Sequence, residues 1–147
     1  MTEIRTLTLN DVSELSSLEA LCFSCPWSYE SFLQCLTNDR FYFIGAFENE
    51  KLVGYGGILT VIDEGDVVNI AVHPDKRRRG IAKAILTELC FEAKNKGVIL
   101  LHLEVRESNV GARSLYTSHG FNEDGIRKGY YTKPTENAVL MTLNLGK

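Results

Sequence analysis

Residues 67–86 read VVNIAVHPDKRRRGIAKAIL. Val67–Val72 is apolar and largely β-branched, which predicts a strand. Pro74 and Asp75 make a turn. Gly80 then opens a stretch in which Ile81, Ile85, Leu89 and Phe91 follow helical spacing, predicting a helix over 80–96 that Gly97 stops. Between strand and helix stand four cations, Lys76, Arg77, Arg78 and Arg79, in a chain of formal net charge −3. The N-terminal end of a helix is already positive, so four cations there repel it. The arrangement asks for something negative between them.

Working outward, Val98–Val105 is so apolar that it predicts a buried central strand. Asn109–His119 reads as a shorter helix ended by Gly120. A strand–helix–strand–helix run builds a parallel strand pair joined by a crossover helix. Upstream, Phe41–Phe47 and Leu52–Ile62 read as strands joined by a polar turn at 48–51. Before them come a strand over Ile4–Leu9, a helix from Asn10 or Asp11 to Cys22, and a helix capped by Ser28 that ends near Asn38. Two closing strands fall at about 121–131 and 138–145. The hairpins on either side add antiparallel strands. The expected fold is α/β, with a mixed, mostly antiparallel sheet, a central parallel pair and helices on both faces. Residues 1–147 read as one domain.

The chain is 44% hydrophobic and 24% charged, ordinary for a globular protein. No apolar run approaches the roughly 20 residues needed to span a bilayer. The N-terminal stretch is polar and mixed in charge, unlike a signal peptide. A cytoplasmic protein with no membrane partner is the expectation. Four cysteines (Cys22, Cys25, Cys35, Cys90) and scattered His73, His102 and His119 supply no second pair of ligands beside Cys22-x-x-Cys25. No metal is expected, and the thiols are expected to be reduced. Residues 1–72 carry 3 basic and 11 acidic side chains, and residues 73–147 carry 13 and 8. This polarity suits an anionic ligand on one half and a cationic partner near the other. The negative total argues against direct nucleic-acid binding.

The loop 77–82 carries its own chemistry. Backbone N–H groups at a helix start have no intrahelical partner, and with the helix dipole they cradle phosphate oxygens. Gly80 lets an anion approach without a Cβ in the way, and Ala82 obstructs little. Neither Gly-Lys-Ser/Thr nor GxGxxG is present, so the loop is neither a P-loop nor a dinucleotide fingerprint. A pyrophosphate cradle and a solvated basic cap are both open readings of the loop alone.

In ILLHLEVRESN, residues 99–109, Glu104 stands near the end of an otherwise apolar strand. That edge is where open α/β sheets bind ligands. Burial there is expected to make Glu104 a usable base near neutrality; a salt bridge to Arg106 or Arg113 is the other reading. Tyr116, on the following helix, is open to a role as a proton donor or as core.

NIAVHPDKRRRGIAKAIL resembles motif A of the Gcn5-related N-acetyltransferases, Q/R-x-x-G-x-G/A, as Arg77-x-x-Gly80-x-Ala82. LEVRESNVGARSLYTSHGF, residues 103–121, resembles the family's following motif. With CPWS at 25–28 and RKGYY at 127–131, it resembles the bacterial branch that acetylates the N-terminal alanine of ribosomal protein S18. The resemblance spans about Ile4 to Leu143. It implies acetyl-CoA contacts at Ile70, Ala71 and Val72, at Arg78, Arg79, Gly80, Ile81, Ala82 and Lys83, and at Asn109. It implies Glu104 as base and Tyr116 as acid. Cys25 departs from the phenylalanine common before Pro-Trp, on the substrate side. A small-molecule amine acetyltransferase and a non-catalytic acetyl-CoA-binding module are the alternatives on this scaffold. The first of these would share the whole cofactor loop.

Overall fold

The computed structural model describes residues 2–146; Met1 and Lys147, the ends of the expected domain, lie outside the described residues. The chain runs β1 (Glu3–Thr6), α1 (Val12–Cys22), α2 (Tyr29–Leu36), β2 (Phe41–Glu48), β3 (Lys51–Val61), β4 (Glu64–Val72), α3 (Ile81–Asn95), β5 (Leu100–Arg106), α4 (Val110–Ser118), β6 (Asn122–Tyr131) and β7 (Glu136–Asn144). The sheet order is β1-β2-β3-β4-β5-β7-β6. Of its neighbouring pairs β4–β5 is parallel, and the rest are antiparallel. The α/β expectation with a parallel pair inside a mostly antiparallel sheet therefore holds.

Two apolar clusters sandwich the sheet. On one face Leu15 and Leu18 of α1 and Phe32 of α2 pack with Phe43, Phe47 and Tyr55. On the other, Ile81, Ile85 and Leu89 of α3 and Tyr116 of α4 pack with Ile44, Val53, Ile58 and Val139. Helix α3 lies close on β3: a Cβ at Gly56 would fall 2.6 Å from Ile85 and 2.8 Å from Leu89. Phe91, expected in the core, is 59% exposed. The buried stripe of α3 continues instead through Leu86, Cys90 and Ala93, which keep the three-to-four-residue period that Phe91 breaks.

The first strand is shorter than expected. Leu7 N–H donates to Phe43 O at 2.9 Å. Thr8 and Asp11 then form a reciprocal cap that turns the chain into helix. Asp11 also receives a bidentate grip from Arg5 at 3.0 and 3.1 Å.

Two irregularities open the middle of the sheet. Gly57 pairs with Asn69 but Ile58 pairs with Val67, leaving Val68 as a bulge in β4. Strands β4 and β5 pair only from Glu64–Leu100 to Asp66–His102. Beyond that they part, β4 staying with β3 and β5 with β7. Among the described residues no helix is long and apolar enough to cross a membrane.

Candidate active site

The parting of β4 from β5 leaves backbone groups of β4 without a strand partner. Val72 O accepts from Arg77 Nε at 3.1 Å and from Cys22 Sγ at 3.5 Å. His73 N–H, one residue on, donates to Val53 O on β3. Polar groups alternate along a strand, so those of Val72 and Ile70 point away from β3 into the gap. Arg77 thus ties the loop to the strand end.

The loop then turns through two left-handed residues, Arg78 (φ 66°) and Gly80 (φ 79°). No side chain caps α3 at Gly80. Its first internal bond is Ala84 N–H to Gly80 O at 3.0 Å, which leaves the N–H groups of Ile81, Ala82 and Lys83 free. A Cβ built on Gly80 would meet nothing within 4 Å, so the approach to these donors is open.

A cavity of about 560 Å³ lies over this helix start. Ile70, Ala71, Val72, Arg78, Gly80, Ile81, Ala82, Lys83 and Asn109 all line it, together with Tyr116. Of the residues expected to touch a cofactor, only Arg79 is not in that lining. It leans to Glu48 at 3.7 Å, and Lys76 reaches the same carboxylate at 3.1 Å. Part of the negative charge that the basic run asks for is therefore Glu48, at the end of β2. The cations beside it hold the Glu48 carboxyl below its ordinary range. Asn109 accepts from Ala112 N–H at 3.1 Å and so caps α4 while facing the cavity.

A second cavity, about 870 Å³, lies on the side of α1 and the β6–β7 hairpin. Glu104, Trp27, Asn69, Tyr130 and Tyr131 line it. Cys22, Phe23, Ile70, Asn109, Ala112 and Tyr116 border both cavities. The two meet at the mouth of the parted strands. Ser24 Oγ donates to Lys133 O at 2.6 Å, bridging the α1–α2 loop to the hairpin beside the second cavity.

Glu104 is not buried as expected. Leu103 and Val105 point into the core, and Glu104 points to the opposite face, its side chain 34% exposed. The cluster beneath α1 and α2 has no member on β5, so no apolar core encloses Glu104 on that face. Neither suggested partner pairs with it. Arg106 binds Glu136 at 3.2 Å, Arg113 binds Glu123 at 2.9 Å, and Glu104 binds Arg127 of β6 at 3.2 Å. Tyr116 is 8% exposed and packs edge-on to Phe121 at 5.7 Å. Burial, with a smaller contribution from Tyr131, pushes its pKa up to about 12, so its hydroxyl stays protonated and able to donate.

Among the described residues no three or more His, Cys, Asp or Glu side chains assemble as a metal site. All four cysteines are free. The sequence reading missed Arg127, Glu48 and a buried Glu19. The signal for Glu19 was present: it shares the inward face of α1 with Leu15 and Leu18.

Residues 10–121 match the Acetyltransferase (GNAT) family. The chain belongs to that family. It is an acetyl-CoA-dependent N-acetyltransferase, and the uncapped start of α3 beside Arg78 and Lys83 suits the pyrophosphate of that co-substrate. A [ribosomal protein bS18]-alanine N-acetyltransferase of Haemophilus influenzae is 40% identical over 148 residues, covering 99% of this chain and 100% of the relative. The enzyme of that name from Escherichia coli is 37% identical over 145 residues, 97% of each chain. The crystal structure of the E. coli ribosomal-protein-S18-alanine N-acetyltransferase superposes with a TM-score of 0.93 at 36% identity, covering 100% of this chain and 96% of that one.

Proposed function

We propose that this GNAT enzyme acetylates the N-terminal alanine of ribosomal protein S18, working as one domain over residues 1–147. A ribosomal substrate places the reaction in the cytoplasm. The observation that carries the chemistry is the meeting of two cavities at the parted strands, with Tyr116 on both and Glu104 on one. The names and the near-full-length identity of the relatives support the substrate.

Acetyl-CoA supplies an activated acyl group; the chain's own residues hold and time its transfer. The N–H groups of Ile81, Ala82 and Lys83 grip the pyrophosphate, with Arg78 and Lys83 supplying charge. Ile70, Ala71 and Val72, which line the same cavity, would hold the pantetheine arm on its way to the gap. The N–H groups of Ile70 and Val72 that face the gap polarise the thioester carbonyl. An α-amine with a pKa of about 7.7–8.0 is mostly protonated at pH 7 and must lose a proton before it attacks. Glu104, on the second cavity, takes that proton directly or through a water. Its partial exposure leaves it accessible to a substrate that enters from outside. The nitrogen forms the new C–N bond, the C–S bond breaks, Tyr116 delivers its proton to the departing thiolate, and the second proton shed by the acylated nitrogen returns to the Tyr116 phenolate through water, leaving a neutral amide and the CoA thiol. Tyr116 suits this role because it reaches both cavities and is held protonated.

The test is an acceptor panel. The protein is incubated with acetyl-CoA and, separately, with a peptide of the S18 N-terminus, a polyamine and an aminoglycoside. The proposal expects the peptide to be acetylated with the highest kcat/KM. Turnover of a small amine without the peptide would replace this reading.

A further inference from the structure

The second cavity has a polar floor that the proposed mechanism does not use. Glu19 of α1 is 1% exposed and pairs with no cation among the described residues. Donors surround it instead. Tyr55 OH donates to Glu19 Oε1. Asn69 Nδ2 lies 3.1 and 3.2 Å from the two carboxylate oxygens and 2.9 Å from Tyr55 Oη. Trp27 N–H donates to Glu19 Oε2 at 3.0 Å. Burial pushes the Glu19 pKa up while these donors pull it back. An acceptor-only carboxylate ringed by donors fixes which way each donor turns.

The consequence falls on Asn69. Its Nδ2 is committed to Glu19 and Tyr55, so the amide cannot flip without placing its oxygen against a carboxylate. Among the described residues no donor bonds Asn69 Oδ1, yet no buried side-chain oxygen lacks a partner. The Oδ1 atom is therefore open to the cavity that Asn69 lines. The same cavity has Glu104 on its other parted strand. Asn69 comes from β4 next to the Val68 bulge, and Glu104 from β5.

We infer that Asn69 Oδ1, held in place by Glu19, is a binding group for the acceptor amine. This rests on the reading of the second cavity as the acceptor site. An α-ammonium carries three N–H donors, and after one proton leaves two remain beside the lone pair. Acceptor oxygens on the two strands that wall the gap, one of Glu104 and the Asn69 carbonyl, can hold those two N–H groups. The lone pair is then left free for the gap between the strands. A backbone amide nitrogen has one N–H and no free lone pair, and a hydroxyl has one O–H; neither satisfies both walls. The cavity floor therefore selects an amine, and Glu19 is the positioning residue that orients the selecting group. Trp27 N–H on the same carboxylate ties the α1–α2 loop to that orientation.

The experiment uses the full chain, acetyl-CoA and an S18 N-terminal peptide. Asn69→Ala is expected to raise the peptide KM by roughly tenfold or more, the effect of losing a hydrogen bond to a charged group. The KM for acetyl-CoA should stay within about twofold of native, since Asn69 does not line the first cavity. Glu19→Gln, which has one acceptor oxygen in place of two, is expected to shift the peptide KM in the same direction. Its amide cannot receive every donor now bound, and Asn69 is released. Folding of both variants is checked by thermal melting. Native peptide KM in Asn69→Ala overturns the inference. So does a loss of kcat and both KM values that tracks a lowered Tm, which would make the network only structural. If the native enzyme acetylates no peptide at all, the acceptor-site reading fails, and the inference with it. The native control separates that failure from the first two.

Discussion

Replacing Gly80 tests the pyrophosphate cradle with a charge placed where the ligand must sit. Gly80 adopts φ 79°, and a Cβ there meets no protein atom within 4 Å. Gly80→Ala therefore suffers backbone strain without a clash. The left-handed conformation costs an L-residue about 1–2 kcal/mol, a fall in Tm of roughly 2–8 °C for a chain of this size. Gly80→Glu suffers the same strain and adds a carboxylate on the open side of the helix start. A unit negative charge about 5 Å from a phosphate, at an effective dielectric of about 20, is repelled by about 3 kcal/mol. That is roughly a 100-fold weaker Kd. The assay is calorimetric titration of acetyl-CoA into both variants, with melting curves run in parallel. Because strain is common to the two, their Kd ratio isolates the charge. Equal melting and a Kd ratio near 100 is the expected result. A ratio below about three would refute the placement of the pyrophosphate over Gly80.

Other consequences follow from single groups. Glu104→Gln should lower kcat by roughly 100-fold or more while the acetyl-CoA Kd stays native; unchanged turnover would remove Glu104 from the proton path. Tyr116→Phe should lower kcat without moving any limb of the pH–rate profile below about pH 10, because burial holds the phenol near 12; a shifted limb there would show that Tyr116 titrates in the working range. Glu48→Gln frees Lys76 and Arg79. Exposed pairs are weak and screened by salt, so the acetyl-CoA KM should fall by less than about fivefold, and more at low salt than at high salt. Asp11 is held below the usual carboxylate range, first by the Arg5 guanidinium. A depressed folded-state pKa contributes stability above the unfolded value and loses it as pH falls. Denaturant melts should show native protein more stable than Asp11→Asn by about 1 kcal/mol at pH 7, with the gap narrowing below about pH 4. A gap that widens in acid would contradict the sign.

The β4–loop–α3 unit was legible because its hydrophobic period changes from strand to helix across a proline turn and a glycine. The left-handed turn at Arg78 is not legible, since an arginine gives no composition signal for φ 66°. The end of β1 was missed because a local competitor, the Thr8–Asp11 cap, takes the chain away from the sheet at Leu7. Phe91 is apolar but off the buried stripe, and hydrophobicity alone does not report angle around a helix. At the site, the residues with local backbone roles were readable: Gly80 at its helix start and Asn109 as a cap. What escaped was non-local. Glu104 meets Arg127 only because β7 lies between β5 and β6, an order no local pattern encodes. The exposure of Glu104 follows from how far α1 and α2 reach across the sheet. Glu19, Tyr55 and Asn69 converge from three elements, and only the buried side of α1 hinted at the first of them.

In the proposed reaction the parted strands deliver acetyl to the α-amine of an N-terminal alanine. Fragmentation mass spectrometry of an S18 N-terminal peptide carrying a lysine, after reaction with acetyl-CoA, locates the new group directly. The acetyl is expected on the N-terminal alanine alone, with no product from a peptide whose α-amine is already blocked. Acetyl on the lysine side chain, or turnover of the blocked peptide, would contradict it.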